Sequence, residues 1–143
     1  MTPGRTPTRA QVTAGVRTAA GDRPISAISV VLVGDEEIAG LHAQFMDDPT
    51  PTDVLTFDLR DDAGAEALEG EIVVSVETAA RQARRLRVSP DEEVLRYVIH
   101  GVLHLVGYDD HTPGGRRMMR RQENRVLREL RERGVLADGS IGR

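Results

Sequence analysis

The sequence predicts one mixed domain in which β-strands and α-helices alternate along the chain. Three observations favour this class. The 143 residues match the length of one ordinary domain, strand-like and helix-like apolar patterns alternate, and no repeat or low-complexity segment interrupts them. We therefore expect residues 1–143 to form a single α/β or α+β domain. Only the ends, residues 1–6 and 135–143, are expected to be loose.

The first third of the chain predicts a helix, a strand and a second helix. Residues 8–20 have a helical pattern that Gly21 closes. The β-branched run 25–33 (ISAISVVLV) predicts a strand that becomes buried on both faces. Asp35 is a suitable N-cap for a helix through Met46, which the two prolines that follow stop from continuing.

The middle of the chain predicts two short strands and a helix. The segments 53–59 (DVLTFDL) and 71–76 (EIVVSV) have strand patterns and are separated by an acidic loop. We expect these two strands to pair as neighbours. The segment 77–87 (ETAARQARRLR) predicts a helix with an exposed arginine face.

The most apolar helix of the chain is predicted to begin after Ser89, with Pro90 at its first position and Glu92 completing a capping box. Its apolar residues leave almost no polar face up to Gly107, so we expect a central, buried helix. A last, heavily charged helix over residues 115–133 is expected on the surface.

The amino-acid composition limits which metal ligands, membrane segments and binding partners the protein can have. The chain has no cysteine, so a metal site must use His, Asp or Glu. No apolar run is long enough to span a bilayer, and the N-terminus lacks a signal-peptide core, so we expect a soluble, cytoplasmic protein without a membrane partner. The net charge of −4 disfavours a generic polyanion binder.

Three of the four histidines lie in the stretch HGVLHLVGYDDH. His100 and His104 are one helical turn apart, so their rings share a face and can bind one ion. His111 follows Gly107, where the chain can fold back to the same point. Three imidazoles leave a fourth position of a tetrahedral ion open to water, which is typical of catalytic zinc. We therefore predict one zinc ion, although nickel or another imidazole-binding metal fits the same donors.

A zinc protease is disfavoured by the residue that follows His100. The HExxH motif of those enzymes supplies a Glu that activates water, and Gly101 stands at that position here. A peptidase or small-molecule hydrolase is therefore the weakest of the alternatives.

Three blocks of this sequence resemble the YbeY family of endoribonucleases, also called ribosomal RNA maturation factors. HGVLHLVGYD with the nearby His111 resembles the family signature, PTDVLTF at 51–57 resembles its PTDVLSF segment, and GEIVVS at 70–75 resembles its GDIVIS strand. Their order and spacing also fit, so the resemblance covers roughly residues 25–130.

The resemblance implies an α+β fold, with a mostly helical layer over a small sheet and the metal-binding histidines on the central helix. It implies that His100, His104 and His111 hold one zinc ion. The implied activity is cleavage of single-stranded RNA during ribosome maturation and quality control, with ribosomal RNA and ribosomal or small-subunit proteins as partners.

The chain departs from the family pattern at two places. Asp109 and Asp110 both precede His111, where the family has one Asp, so either is an alternative ligand, and both could orient a His ring or accept a proton. Met46 stands where the family commonly has an Arg suspected of binding RNA phosphate. By charge alone, four residues are candidates for that contact: Arg60, Arg81, Arg84 and Arg85.

Three hypotheses follow. The first is a zinc-dependent endoribonuclease that processes ribosomal RNA. The second is a metal hydrolase of another class. The third is a non-catalytic ribosome-associated module, in which the metal only staples the central helix to its loop. An open coordination position distinguishes the first from the third.

Overall fold

Residues 6–46, 52–62 and 64–137 are described by the structure, a computed structural model. The elements in this part of the chain are α1 (Arg9–Ala20), β1 (Ile25–Val33), α2 (Asp35–Met46), β2 (Val54–Asp58), β3 (Leu68–Ser75), α3 (Val76–Leu86), α4 (Pro90–Val106) and α5 (Pro113–Glu132). The predicted α+β class is confirmed. Two predictions fall outside the described residues: the prolines after α2, and the outermost parts of the chain ends. No described helix is long and apolar enough to cross a membrane.

The three strands form one mixed sheet with the order β1-β3-β2. β3 is central, pairs in parallel with β1, and pairs antiparallel with β2, so the two strands predicted to be neighbours are neighbours. Successive side chains of β3 point to opposite faces of the sheet. Ile72 and Val74 pack into the main core with α4, whereas Val73 joins a smaller cluster with Ile38 of α2.

Helix α4 lies at the centre of the main core, as its sequence predicts. Five of its side chains have no exposed surface: Leu95, Val98, Ile99, Val102 and Leu103. Gly101 marks the closest approach to the sheet, because a Cβ there would lie 2.9 Å from side-chain atoms of both Ile72 and Thr56. This packing explains why a glycine follows His100, since a Cβ at that position would force Ile72 or Thr56 to move.

The predictions about the burial of β1 and about the start of α4 were wrong. β1 is not buried on both faces, because in the described part of the chain it is an edge strand, and Val31 and Leu32 are each 38% exposed. Glu92 does not close a capping box: Ser89 is the N-cap without a side-chain cap bond, and the Glu92 carboxylate pairs with Arg131 at 2.7 Å.

The last helix is not confined to the surface. α5 carries charge on its outer face, but the side chains along its inner face are buried in the core at the spacing of an amphipathic helix. These buried side chains form one stripe along the helix. The members of that stripe are Met119, Glu123, Val126, Leu127 and Leu130. Glu123 is the charged residue of this stripe, and it faces the histidine pair.

Candidate metal centre

The last two turns of α4 place two imidazoles side by side at the edge of the core. The His100 and His104 ring centroids are 4.6 Å apart, and the ring planes are nearly perpendicular. Their side chains are 20% and 28% exposed, so each ring is held by packing and still reaches solvent. The buried face of α4 thus fixes both rings beside one opening.

The loop after α4 turns back over these two rings. Gly107, with a φ of 128°, allows the sharp change in chain direction, and its N–H donates to the carbonyls of Leu103 and His104. Asp109 Oδ1 then accepts the His111 backbone N–H at 2.7 Å, which closes the turn. The turn conformation of this loop carries Asp110 back toward the histidine pair.

Asp110 contacts both imidazoles with the two oxygens of one carboxylate. Oδ2 is 3.4 Å from His100 Nε2, and Oδ1 is 3.5 Å from His104 Nε2. Ligand atoms of the three residues lie within 4.8 Å of one another, so the group could hold a metal ion. Two imidazole nitrogens and a carboxylate oxygen are a common ligand set for Zn²⁺ and other divalent ions.

The far side of the His100 ring is held by α5. Its Nδ1 lies 2.7 Å from Glu123 Oε2, and the other oxygen of Glu123 accepts from Arg96 at 3.0 Å. With Nδ1–H donating to this carboxylate, the lone pair of Nε2 points toward Asp110 and the opening. Arg96, Glu123 and His100 therefore form a connected polar chain that ends at the candidate metal site.

The two histidines differ in proton affinity. Burial alone would lower the pKa of His100, but the hydrogen bond and charge of Glu123 and the charge of Asp110 raise it above its ordinary value. Burial lowers the pKa of His104, and the neighbouring His100 lowers it further. His104 is thus held in the neutral form that binds metals.

An open cleft of about 460 Å³ lies in front of these rings. It is lined by the His100–His104–Asp110 group with His111, and by residues of β2 and the segment just before it. Thr52 and Asp53 are among these residues, so the PTDVLTF segment borders the candidate site. The cleft leaves the candidate metal position open to solvent.

The model of the YbeY family, described as endoribonuclease YbeY, matches residues 8–131 of this chain. The chain belongs to the YbeY family. That family consists of endoribonucleases, which are hydrolases that cleave RNA. The match includes α4, its loop and α5, so every element that forms the candidate metal centre lies inside the family region.

Relatives and a solved structure agree with this assignment. The chain is 40% identical over 134 residues to endoribonuclease YbeY of Anaeromyxobacter sp. strain Fw109-5, covering 94% of this chain and 66% of the relative. It is 42% identical over 105 residues to that of Aquifex aeolicus, covering 72% and 69% of the two chains. This YbeY-family chain thus spans about two thirds of the length of these relatives.

The structural comparison supports the same fold. The solution structure of TM1509 from Thermotoga maritima is 30% identical in sequence, and the similar region covers 91% of this chain and 86% of that one, with a TM-score of 0.55. The α+β architecture with a small sheet is therefore shared with a solved protein.

The arginines predicted to bind substrate do not line the cleft in the described structure. Arg60 is tied to Asp58 at 2.6 Å and to the carbonyl of Leu105 at 3.1 Å. Arg81 pairs with Asp35 at 2.7 Å. Arg84 and Arg85 lie on the exposed face of α3. Binding of RNA by these four residues stays a prediction, as does the role of Met46, whose side chain is outside the described part of the structure.

Sequence reasoning missed the Glu123–Arg96 pair. The sequence does indicate that Glu123 is buried, because a glutamate four residues after Met119 and four before Leu127 occupies a core position of an amphipathic helix. A charged residue at such a position is rarely buried without a partner. The identity of that partner, Arg96, 27 residues earlier on α4, could not be obtained from spacing alone.

Proposed function

We propose that this protein is a zinc-dependent endoribonuclease that cleaves single-stranded RNA. Its substrate is ribosomal RNA in the cytoplasm, and its role is the maturation and quality control of ribosomes, with small-subunit proteins as partners. The observation that carries the proposal is the group of His100, His104 and Asp110 at an open cleft in a YbeY-family chain.

His100 and His104 supply two of the ligands. Asp110 is favoured as the third, because its carboxylate lies 3.4 and 3.5 Å from the two Nε2 atoms. His111 lines the same cleft and stays a prediction as an alternative third ligand. Asp109 is used by the turn, through the His111 N–H, and a role for it in proton transfer also stays a prediction.

The charge of the cleft supports a role for a cation. Three of the residues that line it are Asp53, Asp58 and Asp110, and none of the described lining residues is Arg. Arg60 neutralises Asp58 at 2.6 Å, so the negative charge of the cleft comes from Asp53 and Asp110. Such a wall repels phosphate until positive charge is added. A bound divalent ion would supply that charge, and would lower the pKa of a water ligand to about 7 or polarise a phosphoryl oxygen.

The chain's own side chains then have distinct tasks. His104 remains neutral at physiological pH because its pKa is lowered, and it holds its nitrogen toward the cleft. The Asp110 carboxylate would supply a negatively charged oxygen ligand to a bound ion and so reduce its net charge. Thr52 and Asp53 line the same cleft, where the Thr52 hydroxyl could donate a hydrogen bond to a ribose and the Asp53 carboxylate could accept one from an attacking hydroxyl.

RNA cleavage by the purified protein tests this proposal. We expect single-stranded ribosomal RNA to be cut by the wild type, and cutting to be lost with a chelator and in His104→Ala. His42→Ala is the matched control, because it removes the fourth histidine, which lies on α2 and outside the described cleft lining. Equal cutting by His104→Ala and His42→Ala would show that the activity does not come from this site.

A non-catalytic module stapled by a metal is the second candidate, and the acidic cleft wall favours it. This candidate predicts metal binding and thermal stabilisation with no cleavage of precursor RNA, even within assembling ribosomes. A peptidase is disfavoured further by the structure, because a Glu at position 101 would press against Ile72 and Thr56, which lie 2.9 Å from a Cβ there.

A further inference from the structure

Glu123 is a buried acid whose two oxygens have separate partners. Its residue exposure is 8%, and it lies between the buried Met119 and Leu127 on α5. Oε2 is 2.7 Å from His100 Nδ1, and Oε1 is 3.0 Å from Arg96. An acid held so firmly has few other positions available, because turning it away from one partner would leave a charged group unpaired in the core.

We propose that Glu123 is a positioning residue for the metal: it keeps the proton of His100 on Nδ1 and aims Nε2 at the ion, while Arg96 holds Glu123 in place. This inference rests on the proposed function only in placing a metal ion at His100. Metal-bound histidines usually donate their second ring N–H to a carboxylate or carbonyl, which fixes the tautomer and makes the ligating nitrogen more basic.

The geometry distinguishes this role from a simple ion pair between helices. If Glu123 served only to neutralise Arg96, both its oxygens could face the guanidinium in a bidentate pair. Instead Oε2 contacts His100 Nδ1 at 2.7 Å, which is shorter than the 3.0 Å between Oε1 and Arg96. Arg96, one turn before His100 on α4, stands on the same helix face and closes the chain of contacts.

The tautomer of His100 provides a test that needs neither metal nor RNA. Nitrogen-15 NMR of metal-free protein, at a pH where His100 is neutral, reports which ring nitrogen carries the proton, and His100→Ala assigns the signal. We expect the Nδ1–H form in the wild type and a shift toward the Nε2–H form in Glu123→Ala. An unchanged tautomer in Glu123→Ala would overturn the proposal.

Metal affinity provides the second test. Competition with a chromophoric chelator should show Zn²⁺ bound about 10–100-fold more weakly by Glu123→Ala. Glu123→Gln keeps an acceptor oxygen, so we expect it to recover part of this loss. Absorption of Co²⁺ at the site should change in both variants, since the direction of the His100 ligand changes.

Glu92→Gln is the matched control for removing a buried negative charge. Glu92 is 4% exposed and pairs with Arg131 at 2.7 Å, and it lies two helical turns before His100 on α4. We expect it to lower the thermal unfolding temperature yet leave Zn²⁺ affinity within about twofold. Equal loss of affinity in Glu92→Gln and Glu123→Ala would mean that general destabilisation explains both, and would refute a positioning role.

The outcomes also separate this inference from the proposed function. Tight Zn²⁺ binding that depends on Glu123, without RNA cleavage, would support the inference and contradict the nuclease. RNA cleavage that requires His104, together with unchanged Zn²⁺ affinity in Glu123→Ala, would support the nuclease and contradict the positioning role of Glu123.

Discussion

Two helical glycines provide a quantitative test of how closely α4 is pressed against the sheet. A Cβ added at Gly101 would lie 2.9 Å from two carbons of Ile72 and 2.9 Å from Thr56 Oγ1, whereas nothing lies within 4 Å of one added at Gly40. Alanine gains about 1 kcal/mol over glycine in a helix interior. Overpacking a buried site costs about 1–3 kcal/mol. The same substitution should therefore have opposite effects at the two positions.

We expect Gly40→Ala to raise the free energy of unfolding by about 1 kcal/mol. Gly101→Ala should lower it by up to about 2 kcal/mol, which is the overpacking cost less the helix gain, since Ile72 has no exposed surface and cannot move aside without disturbing β3. Urea unfolding of both variants, in a chelator so that no metal contributes, measures the difference. If Gly101→Ala proves as stable as Gly40→Ala, α4 does not approach the sheet this closely, and the placement of His100 beside the cleft loses its support.

Three further predictions concern stability and binding. Burial would raise the pKa of Asp35, but hydrogen bonds, first from Arg81, lower it to about 2 from the 3.8 of the free group. Because Arg81 is 53% exposed and solvent screens the pair, this carboxylate contributes about 1 kcal/mol above pH 4, lost as the pH falls toward 2, and acid unfolding of Asp35→Asn should lack that part of the pH dependence. Leu103→Ala should cost about 2–5 kcal/mol in urea unfolding, because Leu103 has no exposed surface; a loss below 1 kcal/mol would contradict its central position. If Arg84 and Arg85 bind RNA phosphate, replacing both by Gln should reduce the salt slope of RNA binding by about 1.4, and an unchanged slope would remove them from the interface.

Local sequence signals predicted the histidine pair and most of the elements. The spacing of His100 and His104 fixes their common face once the helix is recognised, and the apolar pattern on both sides of them requires burial. The bounds of the strand at 25–33 and the helix at 35–46 agree with β1 and α2. These features depend on residues within one or two turns of each other, which is the range over which periodicity carries information.

Features set by distant residues could not be predicted in the same way. The position of β1 at an edge depends on which strands pair, and a strand's own composition does not determine that. Glu92 fits a capping box, but Arg131, nearly forty residues later, offers it a buried ion pair instead. The contact of Asp110 with both rings depends on how Gly107 turns the chain, since a one-residue difference in such a loop changes which side chain faces the site.

Metal titration of the apo-protein tests whether RNA cleavage depends on one ion bound by His100, His104 and Asp110. Protein freed of metal by a chelator is supplied with Zn²⁺ in steps, and cleavage of single-stranded ribosomal RNA is measured at each step, with Asp110→Asn and His111→Asn in parallel. We expect no cutting without metal and activity that rises to a plateau at one ion per chain, with Asp110→Asn needing far more Zn²⁺ than His111→Asn. Cutting that is undiminished after metal removal would contradict this dependence.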